Sequence, residues 1–366
     1  MDEQQARIIR DLSRGVSWDA LLALGRRHSL LPLLYRQLAA IAPRDVPPES
    51  LDRLKELYQA NAARNSFLLG ELRRVLRSLA EEGVRAIPYK GPFLAMAGYG
   101  GLSMRRFVDL DVIVRRGDVE RAIATLTRLG YRAHLTVSPE QQAYLIATGH
   151  AFAFFRDEGR LIVELHWTVA PELFAADQTA ESLWPRATTR HVDGIDVLEL
   201  SPEDTLLSLC IHGSKHLWER LAWVCDIAEW IAAHPALRWP ELLARAERSG
   251  QQRMLFVGLR LAEGLLDASL PEPAAAAIRE DRAVARLALQ AMRVIFREPP
   301  RPPGMVGSLR FNLLARPSWA ARWSHLRHAL TPTSADILSF RVPRAFRFVY
   351  YVARPLRLLG KRERLR

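Results

Sequence analysis

The sequence predicts a mixed α/β (α+β) fold, with a helical N-terminal region before a mixed β-sheet core and a helical C-terminal domain after it. Apolar residues recur at helical spacing through residues 1–83, change to strand-like spacing over 84–200, and return to helical spacing over 201–298. A proline-rich break then opens residues 299–366, which continue as a basic amphipathic tail. We therefore expect four units with these boundaries.

Local signals support each element in order. Ser17 and Ser29 are candidate N-caps, and a long helix is expected to end near Gly83. In the core, the pattern predicts one helix over 119–129 and strands over the ranges 84–89, 109–114, 151–155 and 161–169. Ser201 followed by Pro202 begins a further helix, which would run to about residue 233 unless it breaks near Gly213.

The composition is that of a globular protein with a substantial core. The chain has 366 residues, of which 49% are apolar and 25% charged, and no apolar run is long enough to cross a membrane. The first five residues are acidic and polar, unlike a secretory signal, and Cys210 and Cys225 are too few for a disulfide framework. These features predict a cytoplasmic protein with two reduced thiols.

The net charge of +12 is confined to one end of the chain. Residues 301–366 contain fourteen Arg or Lys and two acids, whereas residues 1–300 contain 38 of each sign. This distribution argues against a nucleic-acid-binding fold that is basic throughout. It indicates an acidic partner or a membrane surface for the tail, although a segment of this kind can also dock on its own protein.

Two acidic motifs point to a metal site. Asp109 and Asp111 are two residues apart on a predicted strand, so their carboxylates face the same side and could bridge divalent ions. Glu164 interrupts an otherwise apolar strand, with His166 on its face, and a charged side chain there needs a partner charge or a metal. Transfer of a nucleotidyl group requires such carboxylates, because metal ions offset the charge on the phosphates.

Taken in order, these motifs resemble the uncharacterised bacterial nucleotidyltransferases of the DNA polymerase β-like superfamily. The matching elements are Lys90-Gly91, Arg105, Asp109-Leu110-Asp111, Glu164-Leu165-His166-Trp167 and His212-Gly213-Ser214-Lys215-His216-Leu217-Trp218. The first turn departs from better-known members, since it carries Lys90-Gly91-Pro92 in place of Gly-Ser or Gly-Gly.

The resemblance implies an enzyme with a nucleotidyltransferase-like core that moves an NMP group from an NTP to an acceptor hydroxyl or phosphate and releases pyrophosphate. Asp109, Asp111 and Glu164 would hold Mg²⁺ or Mn²⁺, and Glu164 could also serve as the base for the acceptor. Phosphate contacts would come from Lys90, Gly91 and Arg105.

On a continuous helix, His212, His216, Glu219 and Asp226 would share one polar face, which has several interpretations. It could close over the nucleotide, with Lys215 neutralising triphosphate charge, or it could be a buried polar network between domains. A zinc site is less expected, because the flanking cysteines are fifteen residues apart and no HExxH glutamate is present. Two other functions stay open: a catalytically silent nucleotide- or partner-binding module of the same fold, and an adaptor for nucleic acid or membrane led by the basic tail.

Overall fold

A computed structural model describes residues 15–41, 46–171, 179–192, 195–298 and 304–330, together with the single positions 174 and 349. The proline-rich residues 299–303 lie outside this part of the chain. The same is true of the amphipathic stretch predicted around Arg344, Arg347 and Arg354.

Five strands form a mixed sheet: β1 (Ala86–Tyr89), β2 (Leu110–Val114), β3 (Arg132–Ala133), β4 (Ala151–Arg156) and β5 (Leu161–His166). Their spatial order is β1-β2-β5-β4-β3. β2 runs parallel to β5, while β1 with β2, β4 with β5, and β3 with β4 are antiparallel. This sheet confirms the predicted mixed α/β class. The sequence did not predict β3 or a separate hairpin of β6 (Thr188–Val192) and β7 (Ile195–Glu199).

Helices cover the sheet and lead into it. Those before β6 are α1 (Trp18–Arg27), α2 (Leu31–Ile41), α3 (Pro48–Glu81), α4 (Gly91–Tyr99), α5 (Val119–Arg128), α6 (Pro139–Thr148) and α7 (Ala180–Leu183). One face of β2 presents Leu110, Val112 and Val114 to a core shared with apolar side chains of α3 and α5. Because side chains alternate along a strand, Asp111 and Ile113 lie on the opposite face. The functional candidates are therefore on the face away from α3.

A buried carboxylate ties α3 to the sheet. Glu71 accepts two hydrogen bonds from the guanidinium of Arg156, at 2.9 and 3.0 Å, and one from the hydroxyl of Tyr131 at 2.8 Å. Arg74 adds a further contact of 2.9 Å from the same helix. With four charge-assisted or hydroxyl donors, this carboxylate is compensated despite its burial.

The helical C-terminal part follows the hairpin. Its helices are α8 (Pro202–Lys215), α9 (Ala222–Ala233), α10 (Trp239–Arg248), α11 (Gln252–Leu266), α12 (Glu272–Glu280), α13 (Arg282–Ile295), α14 (Met305–Leu314) and α15 (Trp319–Leu330). Ser201 caps α8 as predicted, since its hydroxyl accepts a hydrogen bond of 3.1 Å from the backbone N–H of Asp204.

Of the two alternatives for residues 202–233, a continuous helix or a helix broken near Gly213, the structure shows the broken one, because the chain turns between α8 and α9. Leu217 and Trp218 adopt φ values of 56° and 58°, in the left-handed region. The turn itself, residues 216–221, contains no glycine or proline, and the local signal for the break is Gly213 in the last turn of α8. The indole of Trp218 is fully buried against Gly213, where an added Cβ would lie 2.3 Å from the ring. Burial of this large side chain offsets the backbone strain of the turn.

Two glycines of α11 offer a matched test of this packing. A Cβ at Gly258 would lie 2.6 Å from Cys210 Sγ and 3.1 Å from the Trp218 ring, whereas nothing lies within 4 Å at Gly264. Gly258→Ala is expected to lower the free energy of unfolding by about 1–3 kcal/mol through overpacking. Gly264→Ala is expected to raise it by roughly 0.5–1 kcal/mol through helix propensity. Urea unfolding measures both, and equal effects would contradict the proposed packing.

Candidate active site

The parallel pairing of β2 with β5 brings two of the predicted acids together. Asp111 lies opposite Glu164 in register, and Tyr89 of β1 lies opposite Asp111 on the other side. The side chain of Asp111 is only 4% exposed, whereas that of Glu164 is 38% exposed. One carboxylate is therefore enclosed, and its neighbour is open to a bound molecule.

His166 lies between these two carboxylates. Its Nε2 is 3.0 Å from Asp111 Oδ1 and 3.2 Å from Glu164 Oε2. Ionised carboxylates only accept hydrogen bonds, so Nε2 carries the proton. Burial lowers the pKa of His166, but its hydrogen bonds to Asp111 and Glu164 outweigh that effect and raise it. The hydrogen bond from His166 is also the main cause of the lowered pKa of Glu164.

These three side chains form a group able to hold a metal ion. One ligand atom from each of Asp111, Glu164 and His166 lies within 4.8 Å of the others. Within the described ranges, this group does not include Asp109, Cys210 or Cys225. The spacing of two residues predicts that His166 shares a face with Glu164, and the structure confirms this placement.

Asp109 precedes β2 and is half-buried. Burial, followed by repulsion from Asp111 and Glu164, raises the pKa of its carboxyl to about 6. The third acid therefore lies within electrostatic range of the pair, although it is outside the group of three. Together the three carboxylates concentrate negative charge that protein groups only partly neutralise.

Lys90, in the turn between β1 and α4, partly neutralises the negative charge of the carboxylates. Its Nζ is 3.4 Å from Asp111 Oδ1 and 3.2 Å from the Tyr89 hydroxyl. Burial lowers the pKa of Lys90, but Asp111 and Tyr89 outweigh it and raise the pKa. The backbone at Lys90 has a φ of 53°, in the left-handed region. Gly91 has a φ of 43°, and a Cβ there would lie 3.6 Å from the carbonyl oxygen of Asp109.

Arg105 is paired with a residue for which the sequence analysis gave no specific role. Its guanidinium binds both carboxylate oxygens of Asp226 in α9, at 2.7 and 2.9 Å, and Tyr99 donates a third hydrogen bond of 2.7 Å. Asn65 of α3 also donates to the carbonyl of Arg105, at 2.8 Å. These contacts anchor the loop that carries Asp109. The predicted shared face of His212, His216 and Asp226 depended on a continuous helix, which the turn after α8 interrupts.

The last turn of α8 approaches the carboxylates from the helical part. Burial and Lys90 lower the pKa of Lys215, against opposing effects from Glu164 and Asp111. Burial is also the main cause of the lowered pKa of His212, which lies far below its usual value, and of His216, at about 4. Their rings are 4.7 Å apart, and both lie within 5.3 Å of the Trp223 ring. These histidines are neutral near pH 7, so the positive charge here comes from Lys215.

His150 is a member of the site that the sequence analysis missed. It immediately precedes β4, and its ring centroid lies 6.2 Å from that of His166. Burial, followed by Lys215 and His166, lowers the pKa of His150 to about 2. The sequence indicates this location only indirectly, because His150 precedes Ala151, which pairs with His166 in the β4–β5 hairpin.

The cysteines do not support the zinc alternative. Cys210 and Cys225 are free and buried, and burial raises the pKa of both thiols, that of Cys225 to about 12. A zinc ligand would have to be a thiolate. Cys210 instead packs beside Gly258.

The comparison with protein families decides the identity of the chain. The model of the family described as "Uncharacterised nucleotidyltransferase" matches residues 14–267, which contain all the site residues described above. The chain belongs to this family. It is therefore an enzyme of the transferase class, as the resemblance implied, and its general activity is nucleotidyl transfer.

Other comparisons add little to the family assignment. One solved structure to which this nucleotidyltransferase is similar is the solution structure of the antibiotic-resistance factor ANT(2'')-Ia, at 16% identity and a TM-score of 0.35. The match covers 52% of this chain and 93% of that one. No curated protein sequence matches the nucleotidyltransferase. Among its described helices, none has the length and apolar character needed to span a membrane.

The crowding of acids predicts a pH-dependent gain in stability when Asp109 is neutralised. An unfolded Asp titrates near about 3.9, whereas the folded pKa of Asp109 is about 6. The ionised carboxylate therefore destabilises the folded state fully at a pH above its pKa in the folded protein. This destabilisation disappears at a pH below its pKa in the unfolded chain. In EDTA, Asp109→Asn should raise the free energy of unfolding by about 3 kcal/mol at about pH 7.5 and by less than about 1 kcal/mol near pH 4.

Urea unfolding at both pH values measures this effect. Asp52→Asn, on the exposed surface of α3, is the control and should change stability little at either pH. Destabilisation by Asp109→Asn at the higher pH would show that the carboxylates do not repel one another.

Proposed function

We propose that the protein catalyses Mg²⁺-dependent transfer of an NMP group from an NTP to an acceptor hydroxyl or phosphate, with release of pyrophosphate. The observation that carries this proposal is the in-register pair of Asp111 and Glu164, bridged by His166, in a chain of nucleotidyltransferase ancestry. Reduced, unpaired thiols favour a cytoplasmic site of action, where NTPs are available.

The donor set fits a hard divalent cation. Asp109, Asp111 and Glu164 offer carboxylate oxygens, the ligands that Mg²⁺ and Mn²⁺ prefer. The raised pKa of Asp109 indicates that nearby protein cations leave part of this negative charge uncompensated. When bound, the cation would offset the charge that develops on the transferred phosphate and the leaving pyrophosphate. In our proposal these three acids bind the divalent cation. The ammonium group of Lys90 then exchanges its contact with Asp111 for a contact with a phosphate of the nucleotide.

The basic groups around the acids would bind the triphosphate. Lys90 contacts Asp111, and Lys215 lies within electrostatic range of Lys90, Asp111 and Glu164, since all three affect its pKa. A bound triphosphate relieves the mutual repulsion of the two lysines. Gly91 would allow a phosphate to approach the backbone of the turn closely. His212, in the same helical turn as Lys215, would line the nucleotide site beside it. Arg105 joins them by exchanging Asp226 for a phosphate oxygen.

Glu164 is placed to act on the acceptor. Its side chain is the more exposed of the paired acids, at 38%, so an acceptor group can reach it from solvent. We assign it the role of accepting the proton of an acceptor hydroxyl. His166 would keep the carboxylate ionised and oriented, since its hydrogen bond lowers the pKa of Glu164.

Loss of Asp111 should abolish the reaction. Incubation with each α-labelled NTP, Mg²⁺ and a cell extract as the source of acceptor should give label transfer that EDTA prevents. Asp111→Asn is expected to reduce that transfer by at least about 100-fold, because metal binding loses its enclosed carboxylate. Asp52→Asn should retain full activity. Transfer that survives Asp111→Asn would place the chemistry elsewhere.

Lys215 should contribute to NTP affinity. The chain contains only four lysines, at 55, 90, 215 and 361, and Lys55 on the exposed surface of α3 is a matched control. Lys215→Met is expected to weaken Mg²⁺-NTP binding by about tenfold, the effect of losing one charge-assisted contact. Lys55→Met should have no effect. Equilibrium dialysis with labelled NTPs measures both, and equal affinities would exclude Lys215 from the nucleotide site.

A further inference from the structure

Helix α15 exposes two tryptophans one turn apart. Trp319 is 81% exposed and Trp323 is 70% exposed. Residues separated by four positions share one face of a helix, so the two indoles form one apolar surface. Large exposed aromatic side chains grouped in this way usually mark a binding surface, since their contact with water is unfavourable.

The opposite side of α15 is packed on the protein, which fixes the tryptophan face outward. His325 is buried, with its ring edge-on to Phe174 at 6.3 Å between centroids. At the edge of the tryptophan face, the guanidinium of Arg322 lies 5.1 Å from the centre of the Trp319 ring and donates a hydrogen bond of 3.0 Å to the carbonyl of Arg316. The guanidinium of Arg316 in turn lies 5.2 Å from the centre of the Phe174 ring.

The region around this face is strongly basic. No acidic residue occurs between Glu298 and Asp336. The described segment 304–330 contains four arginines, of which Arg316 is buried, while Arg310 and Arg327 are exposed and Arg322 is partly exposed. Residues 331–366 add nine bases and two acids in sequence, so this end of the chain complements a negatively charged surface.

Helix α14 exposes further apolar side chains. Val306 and Leu309 are exposed on it, with Arg310 exposed beside them. Exposed apolar side chains interspersed with arginines are typical of segments that lie at the boundary between lipid headgroups and acyl chains. Tryptophan in particular is enriched at this boundary, because its ring is apolar and its N–H can remain hydrated.

We propose that the α15 face carrying Trp319 and Trp323 docks peripherally on an anionic lipid bilayer. The indoles would insert at the headgroup level, and the surrounding arginines would attract the anionic lipids. Stable peripheral binding generally takes two signals of this kind, since neither a small apolar surface nor a basic segment suffices alone. This inference is independent of the acceptor and of the nucleotide used by the catalytic site.

Co-sedimentation of the full chain with lipid vesicles tests the proposal. The chain should bind vesicles of phosphatidylcholine mixed with phosphatidylglycerol, and bind phosphatidylcholine alone at least about tenfold more weakly. The double variant Trp319→Ser, Trp323→Ser should lose about tenfold or more in affinity for the anionic vesicles. The control Phe67→Ser removes another exposed aromatic side chain, 57% exposed on α3, and should bind normally.

Quenching by brominated lipid provides a second readout. Brominated phosphatidylcholine in the anionic vesicles should quench tryptophan fluorescence of the parent chain and of Phe67→Ser, and quench the double variant much less. Circular dichroism should show the same fold for all three, because the changed side chains are exposed.

Several results would overturn the proposal. Equal binding of the double variant and the parent to anionic vesicles would exclude the tryptophan face as the docking surface. Absence of vesicle binding, combined with a concentration-dependent mass that the double variant lacks, would make this face a contact between copies of the chain. Tight RNA binding that the double variant loses, without vesicle binding, would assign the face to nucleic acid.

Discussion

The parallel, in-register pairing of β2 with β5 is the constraint on which the candidate site depends. It places Asp111 opposite Glu164 and puts the imidazole of His166 between their carboxylates. A slip of one residue would turn one acid to the core face shared with α3, where a charge would be costly. The apolar alternation of both strands therefore fixes the register, and the register creates the site.

The charges of the site are not fully compensated by the protein itself. Burial, followed by repulsion from Asp111 and Glu164, raises the pKa of Asp109. Next to the carboxylates, the positive charge of Lys90 repels that of Lys215. Burial keeps the nearby His212 and His216 neutral. A divalent cation would offset the first repulsion and a polyphosphate the second. This electrostatic imbalance is consistent with the metal-dependent function that we propose.

Alternation and spacing were sufficient to predict the fold class, the main strands, the cap at Ser201 and the face shared by Glu164 and His166. The roles of the site residues stay predictions, although Asp111 and Glu164 are adjacent. Other features depend on contacts distant in sequence. The turn after Lys215 places Trp218 beside Gly258 of α11, the partner of Arg105 is Asp226, and His150 reaches the site only because β4 pairs with β5. No local pattern encodes such contacts.

The most direct test of the account is to locate the metal. Crystals grown with Mn²⁺ and a non-hydrolysable NTP analogue would reveal the ion by its anomalous scattering. The account predicts a peak within coordination distance of carboxylate oxygens of both Asp111 and Glu164, with the triphosphate on the side of Lys90 and Lys215. A nucleotide bound with its Mn²⁺ away from these two carboxylates would contradict it.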